Sequence, residues 1–447
     1  MSAIRSRRKR GTWMALAASA LALIAAAALS VVGISTLADS RAGQMAGDHS
    51  DLPVQRLAYT PTALVGTVDE DRRLTTVAVL TLEPDGTGGS IVEVAASADA
   101  NSGNSGVLEP LNAVLSVNGA EAFAVDAEAL TGVSFDVVEL VDQERFAQMV
   151  SRLGDLPVNM PINLYDKSSG EQWPVGETLM PSAVAARAVT AVDPQIDDWL
   201  FEPGRAAIWQ AVAKRVGAGI GSAVPVASDA DLPRPADLDS FLDRLFAGPV
   251  QYRALSIKPL DDDRVAEELP LDLAPAFGAG SKDSVVVHDR AETLIAMGAV
   301  APARVGAPLE APSFRVVMGF TDAEIQAAGV TSSDVLTTAV NRLLFSKVNV
   351  VSVAQIPGST VPDHTTFSVL DASTVDGVRE EYEKGFGTEI VVEPAQTAID
   401  GIDIELTLAR DFLQEVSLSM APDVTGSTQN DGTEPTTPTT PASDADG

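Results

Sequence analysis

Cysteine and histidine, two residue types that often take part in catalysis and metal binding, are scarce in this sequence. It has no cysteine among its 447 residues, which excludes disulfides, thiol nucleophiles and cysteine-based zinc sites. The histidines are His49, His288 and His364, and their spacing gives neither an HExxH motif nor another metal-binding cluster. We therefore expect each histidine to lie at the surface or to have its hydrogen bonds satisfied internally.

Two short stretches have the composition of functional loops without the spacing that such chemistry needs. The glycine-rich run 217–221 follows a predicted helix, and no Walker lysine or GxGxxG pattern accompanies it, so it indicates an ordinary loop. The triplet Asp261, Asp262 and Asp263 could attract a divalent cation. Without further ligand spacing, however, such a triplet is more typical of a solvated turn.

The charge balance limits the partners of the chain. The sequence holds 62 acidic residues against 30 lysines and arginines, which gives a formal net charge of −32 at pH 7. So acidic a protein would repel the phosphates of nucleic acid, and we expect no nucleic-acid partner. Its length and its hydrophobic content of 45% are sufficient for two or more folded domains.

The clearest structural pattern lies at 119–161, where the sequence predicts a helix, a strand and a second helix. Two sets of apolar residues have helical spacing: Phe123, Ala127 and Leu130 before the strand, and Phe146, Met149, Val150 and Leu153 after it. Gly132 is placed to end the first helix, and Asp142 is placed to cap the second. Between them, the β-branched and aromatic residues of Val133–Val141 predict a strand.

The same stretch resembles the middle of the LytR-CpsA-Psr (LCP) family of bacterial envelope proteins. The matching residues are Leu130, Thr131, Gly132, Val141, Asp142, Phe146, Val150, Leu153, Gly154 and Val158. None of them is an obvious catalytic group, so the resemblance concerns the fold first. It implies the α/β class, with a mixed sheet flanked by helices. Periodicity alone is compatible with many folds in which a strand is buried between helices.

A predicted hairpin upstream of this unit corresponds to the part of the LCP family that carries its chemistry. Its strands are predicted at Leu74–Leu82 and Ser90–Ala95, on either side of a turn at 83–86. The family has an Asp at the start of the first strand and a Pro-Arg-Asp step at the end of the second. This sequence has Thr75 near the first position and Ala95-Ala96-Ser97 at the second.

That departure bears on the substrate which the resemblance implies, a polyprenyl pyrophosphate. Fixed guanidinium groups bind such an anion, and a carboxylate helps to hold Mg²⁺. The candidates that remain are Arg187, Asp197, Asp198 and Arg205 as ligand-binding residues, and Asp99 as a ligand of Mg²⁺. For Asp99, which lies two residues past the expected position, the alternative is a solvated loop carboxylate.

The arginine pattern that follows in the family, D-x-x-R-x-x-R-Q, is matched only in part. Arg205 corresponds to its first arginine, but Ile208 stands where the second is expected. The resemblance is therefore to an LCP protein that diverges at the catalytic arginines. The alternative for Arg205 is a surface arginine at the start of a helix, near Glu202.

The N-terminus predicts a membrane anchor. A basic cytoplasmic tail at 1–10 precedes an uncharged run at 11–38. Its apolar part, Trp13–Ile34, would form a helix about 33 Å long, enough to cross a hydrocarbon core of roughly 30 Å. The basic residues should remain in the cytoplasm, which places the bulk of the chain outside the membrane. A signal peptide cleaved after Ala38 is the alternative.

The rest of the sequence predicts the following segments: a linker at 39–61, an LCP-like domain at 62–250, its extension and a linker at 251–312, a smaller C-terminal α/β domain at 313–416 and a disordered tail at 417–447. The smaller domain ends in Leu408-Ala409-Arg410-Asp411-Phe412 and resembles the LytR C-terminal domain, in which glycine is common at the position of Ala409. The tail is nearly devoid of large apolar residues and cannot form a core.

Three functions remain open at this point. The first is an envelope-assembly protein with a degenerate catalytic site, which binds a glycan, a polyprenyl carrier or a protein partner. The second, implied by the resemblance, is an active transferase that moves a glycan from polyprenyl pyrophosphate to peptidoglycan. The third is a structural spacer without a ligand pocket. Convergence of Arg187 and Arg205 on one cavity would favour the first two functions over the third.

Overall fold

The computed structural model describes residues 52–57, 59–84, 86–101, 107–217, 219, 234–270, 272–273, 285–302, 311–346, 348–357, 361–386 and 389–420. Within these ranges, no helix combines the length and the apolar character needed to cross a membrane. The predicted anchor at 11–38 lies outside them, as do the basic tail at 1–10, His49 and most of the predicted C-terminal tail.

The strands are β1 (Val54–Gln55), β2 (Thr62–Val68), β3 (Leu74–Leu82), β4 (Gly89–Val94), β5 (Val137–Val141), β6 (Leu156–Met160), β7 (Leu164–Tyr165), β8 (Gln172–Trp173), β9 (Gly176–Met180), β10 (Val250–Ala254), β11 (Ile257–Pro259), β12 (Val286–His288), β13 (Ser313–Met318), β14 (Asn349–Gln355), β15 (Thr365–Val369), β16 (Ile390–Pro394), β17 (Ala398–Ile399) and β18 (Ile404–Leu408).

The helices are α1 (Leu111–Thr131), α2 (Gln143–Ser151), α3 (Ser182–Val189), α4 (Glu202–Val216), α5 (Leu238–Leu245), α6 (Asp262–Glu268), α7 (Arg290–Val300), α8 (Asp322–Ala327), α9 (Ser332–Phe345), α10 (Val375–Phe386) and α11 (Arg410–Met420). Short 3₁₀ turns occur at Asp198–Leu200 and Ala372–Thr374.

The first sheet has five strands in the order β10-β4-β3-β2-β5. The three inner strands are antiparallel, and both edge strands pair in parallel. All residues of β2, β3 and β4 are buried, because successive side chains enter two different cores. One core contains residues of α2, α3, α4 and α5, and the other contains residues of α1 and α7. The predicted mixed sheet flanked by helices is confirmed.

The local signals of the central unit proved reliable. Gly132 ends α1 with a left-handed φ of 69°. Asp142 caps α2 by accepting a hydrogen bond from the backbone N–H of Arg145 at 2.8 Å. The predicted hairpin is formed by the antiparallel strands β3 and β4.

The strand of the central unit begins at Val137, four residues later than predicted. The residues before Val137 form hydrogen bonds with the first residue of β2 instead of continuing the strand. Asp136 Oδ2 accepts the backbone N–H of Thr62 at 3.0 Å, and the Thr62 hydroxyl donates to the carbonyl oxygen of Ser134 at 2.7 Å. These contacts join positions more than seventy residues apart in sequence, which a local pattern does not reveal.

The second sheet has the order β14-β13-β18-β15-β16, and only β18 and β15 are antiparallel. Its core face is aromatic: the ring centroids of Phe367 and Tyr382 lie 5.2 Å apart, and those of Phe314 and Phe367 lie 6.3 Å apart. Residues of α9, α10 and α11 complete this core. Residues 313–416 therefore contain a mixed sheet with helices packed against it.

Two elements connect the halves of the chain. Helix α7 contributes Ala291 and Ile295 to the core of the second sheet, and Ala296 and Met297 to a core of the first. Strand β1, in the predicted linker at 39–61, pairs in parallel with β17 of the second half. The predicted boundary at 250 coincides with the first residue of β10, the edge strand of the first sheet.

Candidate functional site

Arg205 is the centre of a buried polar cluster. Its side chain is 0% exposed. Nη1 donates to the carbonyl oxygen of Thr75 and to Asp198 Oδ2, each at 3.0 Å. Nη2 donates to Asp198 Oδ1 at 2.7 Å and to the carbonyl oxygen of Ala191 at 2.8 Å. The guanidinium thus forms a bidentate ion pair, and both terminal nitrogens are fully used.

Three pieces of the chain place this arginine. The 3₁₀ turn that begins at Asp198 precedes α4, and Arg205 lies in the first turns of α4. The start of β3 supplies Thr75, and the backbone N–H of Ala96, just after β4, donates to Glu202 Oε1 at 3.2 Å. Both hairpin positions singled out in the sequence therefore meet the beginning of α4.

The cluster contains more carboxyl groups than cations. Glu202 Oε1 lies 3.8 Å from Arg205 Nη1, and Glu93 Oε2 accepts the hydroxyl of Tyr252 at 2.5 Å. Burial raises the pKa of Glu93 to about 8, although the hydrogen bond from Tyr252 and the charge of Arg205 act in the opposite direction. Burial also raises the pKa of Glu202 well above its ordinary value. Glu93 is therefore protonated at neutral pH.

Some polar atoms at this place have no hydrogen bond. Arg205 Nε, Glu93 Oε1 and Ser97 Oγ are buried without a partner among the described residues. An unsatisfied buried polar atom costs about 1–3 kcal/mol. A water molecule or a small polar group would be held most favourably beside these atoms.

His288 fixes the end of the hairpin as a neutral residue. It is buried, its Nε2 accepts the backbone N–H of Ala95 at 3.2 Å, and its Nδ1 lies 2.9 Å from the carbonyl oxygen of Ser256, to which it donates. Burial lowers its pKa, so it remains uncharged. His364, by contrast, is exposed beside Asp411. Both histidines fit the expectation of a satisfied or surface residue.

Arg187 does not join Arg205. Its side chain is 38% exposed, its Nε bonds both carboxylate oxygens of Glu171 at 2.9–3.0 Å, and its Nη1 donates to the carbonyl oxygen of Ala183. The two arginines share no partner within the described ranges. Asp197 precedes the 3₁₀ turn, and its side chain does not cap it. Of the two aspartates, Asp198 is the one that pairs with Arg205.

Asp99 is fully buried, so its interpretation as a solvated loop carboxylate is wrong. Its Oδ1 accepts the backbone N–H of Glu109 at 2.8 Å. Burial, followed by the charges of Glu109 and Asp99, raises the pKa of the nearby Asp126 to about 6. In the described part of the chain, no group of three or more acidic or histidine side chains could hold a metal ion. A Mg²⁺ ion at Asp99 stays a prediction.

This arrangement is better suited to burying a paired arginine than to binding an anionic ligand. A pyrophosphate at Arg205 would have to displace Asp198, and breaking a buried ion pair costs about 3–5 kcal/mol. Arg187, the other candidate arginine, is paired with Glu171 elsewhere and supplies no second cation for the ligand. Glu93 and Tyr252 were not among the site residues predicted from the sequence. The available signal was Glu93 itself, the one charged residue in a buried strand, GSIVEV.

No protein-family model and no curated protein matches the chain. Solved structures do. TagV from B. subtilis is similar over 49% of this chain and 95% of its own, with 14% identity and a TM-score of 0.35. TagU from B. subtilis covers 49% of this chain and 98% of its own, with 16% identity and a TM-score of 0.28.

A third similar structure is the LytR-CPS2A-psr family protein YwtF (TagT) with bound octaprenyl pyrophosphate. It matches 49% of this chain and 88% of its own, with 12% identity and a TM-score of 0.32. Similarity at this level leaves the function to be argued from the residues of the chain itself.

Proposed function

We propose that the chain is an LCP-like protein of cell-envelope assembly with a degenerate catalytic site, which binds a wall glycan without transferring it from a polyprenyl carrier. The observation that carries the absence of transfer is the closed, bidentate ion pair between Arg205 and Asp198. Because Arg187 does not converge with Arg205, the glycan contact is not assigned to Arg205. The sequence resemblance at 119–161 supplies the envelope context.

The charge of the cluster argues against transfer. Binding of a pyrophosphate needs several convergent cations, since catalysis of phosphoryl chemistry relies on electrostatic stabilisation of the charge that develops. Arg205 is surrounded by Asp198, Glu202 and Glu93, and Arg187 is paired with Glu171 elsewhere. An anionic ligand would have to replace Asp198 as the partner of Arg205 in a low-dielectric interior, without the second guanidinium that Arg187 would have supplied.

The topology is part of the proposal. A helix at 11–38 would hold the protein in the cell membrane by a single pass, with residues 1–10 in the cytoplasm and the bulk of the chain outside. The uncharged length of this segment and the basic residues before it support that orientation.

One observation favours the active transferase as the alternative. Arg205 touches the hairpin at Thr75, where the family resemblance places catalytic groups, and its Nε has no partner among the described residues. Catalysis would then require Asp198 to leave the guanidinium when substrate and Mg²⁺ arrive.

The test compares two acid-to-amide variants in the full chain, purified in detergent. Asp198→Asn removes the negative charge that pairs with Arg205. Glu171→Gln removes the negative charge that pairs with Arg187, outside the cluster. Binding of octaprenyl pyrophosphate is titrated with and without Mg²⁺, and binding to purified cell wall is measured by co-sedimentation.

We expect wild type and Glu171→Gln to sediment with the wall and to show no saturable binding of the pyrophosphate. Mg²⁺-dependent binding by wild type, together with transfer of a labelled glycan to peptidoglycan, would establish the transferase instead. Absence of both wall and pyrophosphate binding would leave the spacer.

A further inference from the structure

The second sheet carries a cavity on the face opposite its aromatic core. The cavity has a volume of about 740 Å³, within the range of roughly 300–1,000 Å³ that is typical of small-molecule sites. Its lining residues are Gln55, Ser368, Leu370, Glu393, Ala395, Gln396, Thr397, Ile399, Ile402, Asp403 and Glu405. The Arg205 cluster contributes none of them.

The sheet register places three polar side chains in one row. Ser368 of β15 is paired with Glu405 of β18 on one side and with Glu393 of β16 on the other. Their chain neighbours Phe367, Leu406 and Val392 belong to the aromatic core, so the row points to the opposite face.

Strand pairing between the two ends of the described chain closes one side of the cavity. Gln55 of β1 is paired with Ile399 of β17, and the backbone N–H of Asp400 donates to the carbonyl oxygen of Gln55 at 3.0 Å. Ile399 and Ile402 are buried and form an apolar patch in the lining. The site therefore combines a fixed aliphatic surface with a polar wall.

Several groups of the polar wall are available to a ligand. Within the described ranges, the side chains of Ser368, Glu393 and Gln396 make no hydrogen bond or ion pair with the protein. Glu405 differs, because its carboxylate pairs with Arg315 at 3.2 Å. The side chains of Gln55 and Thr397 are equally without a partner in the described part of the chain, so the free groups comprise two hydroxyls, two amides and one carboxylate, which together offer both donors and acceptors.

We propose that this cavity binds a saccharide that carries no negative charge. Sugar hydroxyls both donate and accept hydrogen bonds, which matches the mixed polar wall, and the C–H faces of a pyranose ring suit the isoleucine patch. No lysine or arginine is among the lining residues, and Arg315 beside the wall is already paired with Glu405, so an anionic ligand would meet Glu393 without a free cation. A metal ion does not fit either, since no metal-holding group occurs in the described part of the chain.

This inference rests on the proposed function in one respect, the glycan nature of the ligand, and it assigns the contact to a surface far in sequence from Arg205. Its charge preference is independent of whether the Arg205 cluster transfers anything. A chain that transfers glycan yet binds sugar here would contradict only the proposed function.

The experiment titrates the full chain in detergent by calorimetry with three trisaccharide probes of different charge: the N-acetylglucosamine trimer, the cationic glucosamine trimer and the anionic galacturonic acid trimer. We expect saturable binding of the uncharged trimer and at least tenfold weaker binding of the anionic one. Binding of the glucosamine trimer alone would indicate an amine site and overturn the proposal, as would no binding of the uncharged trimer.

Variants locate the binding. Glu393→Lys and Ser368→Leu should each weaken binding of the uncharged trimer at least tenfold. Glu383→Lys, which makes the same charge change at an exposed position of α10 outside the cavity, should leave it unchanged. Equal binding by all three would refute the location, and thermal unfolding of each variant shows that it is folded.

Discussion

At the scale of single residues, we expect substitutions in the cluster around Arg205 to differ in how much stability they cost. Arg205→Met would leave the carboxylate of Asp198, which is only 16% exposed, without its cation, and we expect it to lower the free energy of unfolding by about 3–5 kcal/mol. Asp198→Asn keeps one acceptor, and Glu202, 3.8 Å from the guanidinium, can release its proton and supply the missing negative charge, so we expect a loss of about 1–2 kcal/mol. Denaturant unfolding measures both losses. Equal losses would mean that Asp198 alone supports Arg205.

The pKa of Glu93 predicts a pH dependence of stability. In the folded chain this pKa is about 8, against an ordinary value of 4.5. Between these values the folded state holds a proton that the unfolded state lacks. The contribution to stability is therefore complete below pH 4.5 and is lost as the pH rises through 8, by at most about 1.4 kcal/mol per pH unit.

Glu93→Gln removes this dependence while keeping an acceptor for Tyr252. The variant should therefore lose less stability than wild type as the pH rises from 5 to 8. A slope of the same sign remains, because burial also raises the pKa of Glu202. Urea unfolding at several pH values checks this expectation, with the exposed Glu383→Gln as control. An unchanged difference between variant and wild type across that range would contradict it.

At the scale of elements, the pairing of β1 with β17 depends on a small apolar cluster. Ile402 is buried in it, together with Val351, Ile399 and the partly buried Leu57. Ile402→Ala should cost about 2–4 kcal/mol and release this part first. We expect faster hydrogen exchange at the amides of Ala398 and Asp400, which donate to the carbonyls of Pro53 and Gln55.

The matched control for that variant is Ile356→Ala, since Ile356 is an exposed isoleucine of the same half. It should leave the exchange of both amides unchanged. Uniform acceleration across the second sheet in Ile402→Ala would mean that β17 does not open separately.

Elements whose signals are local could be predicted from the sequence. Gly132 and Asp142 terminate and cap helices as expected, because their effect depends on a few neighbouring residues. Strand β1 escaped prediction because its partner lies more than three hundred residues away. The beginning of β5 shifted because Asp136 is engaged by Thr62, again a contact distant in sequence.

The sequence indicated which segments meet at Arg205, but not the burial of the cluster or the carboxyl groups that surround the guanidinium. The resemblance pointed to Arg205 and to the hairpin positions near Thr75 and Ala96, and these do meet in space. It also grouped Arg187 with Arg205, whereas the two have different partners. Burial and the excess of carboxyl groups arise from tertiary packing, since Glu93 and Tyr252 come from strands far apart in sequence.

At the scale of the whole molecule, we expect α7 to couple the unfolding of the two sheets. Met297 is fully buried in a core of the first sheet, while Ile295 of the same helix lies in the core of the second. Met297→Ala should therefore lower the unfolding midpoint of both halves, by a loss of about 2–5 kcal/mol at the shared helix. A loss confined to one half would mean that the helix stabilises each core separately.

The distribution of tryptophan allows the two halves to be followed separately. Of the four tryptophans, Trp13 lies in the predicted anchor, and Trp173, Trp199 and Trp209 pack in the cores of the first sheet. The fluorescence change on unfolding of these three reports the first sheet, and hydrogen exchange of amides in β13 and β18 reports the second. We expect coincident transitions in wild type and coincident, lower midpoints in Met297→Ala. Phe345→Ala, at a side chain that is 91% exposed, should shift neither probe. If Met297→Ala moved only the fluorescence transition, the sheets would be independent units, and the saccharide cavity would then remain intact when the Arg205 cluster unfolds.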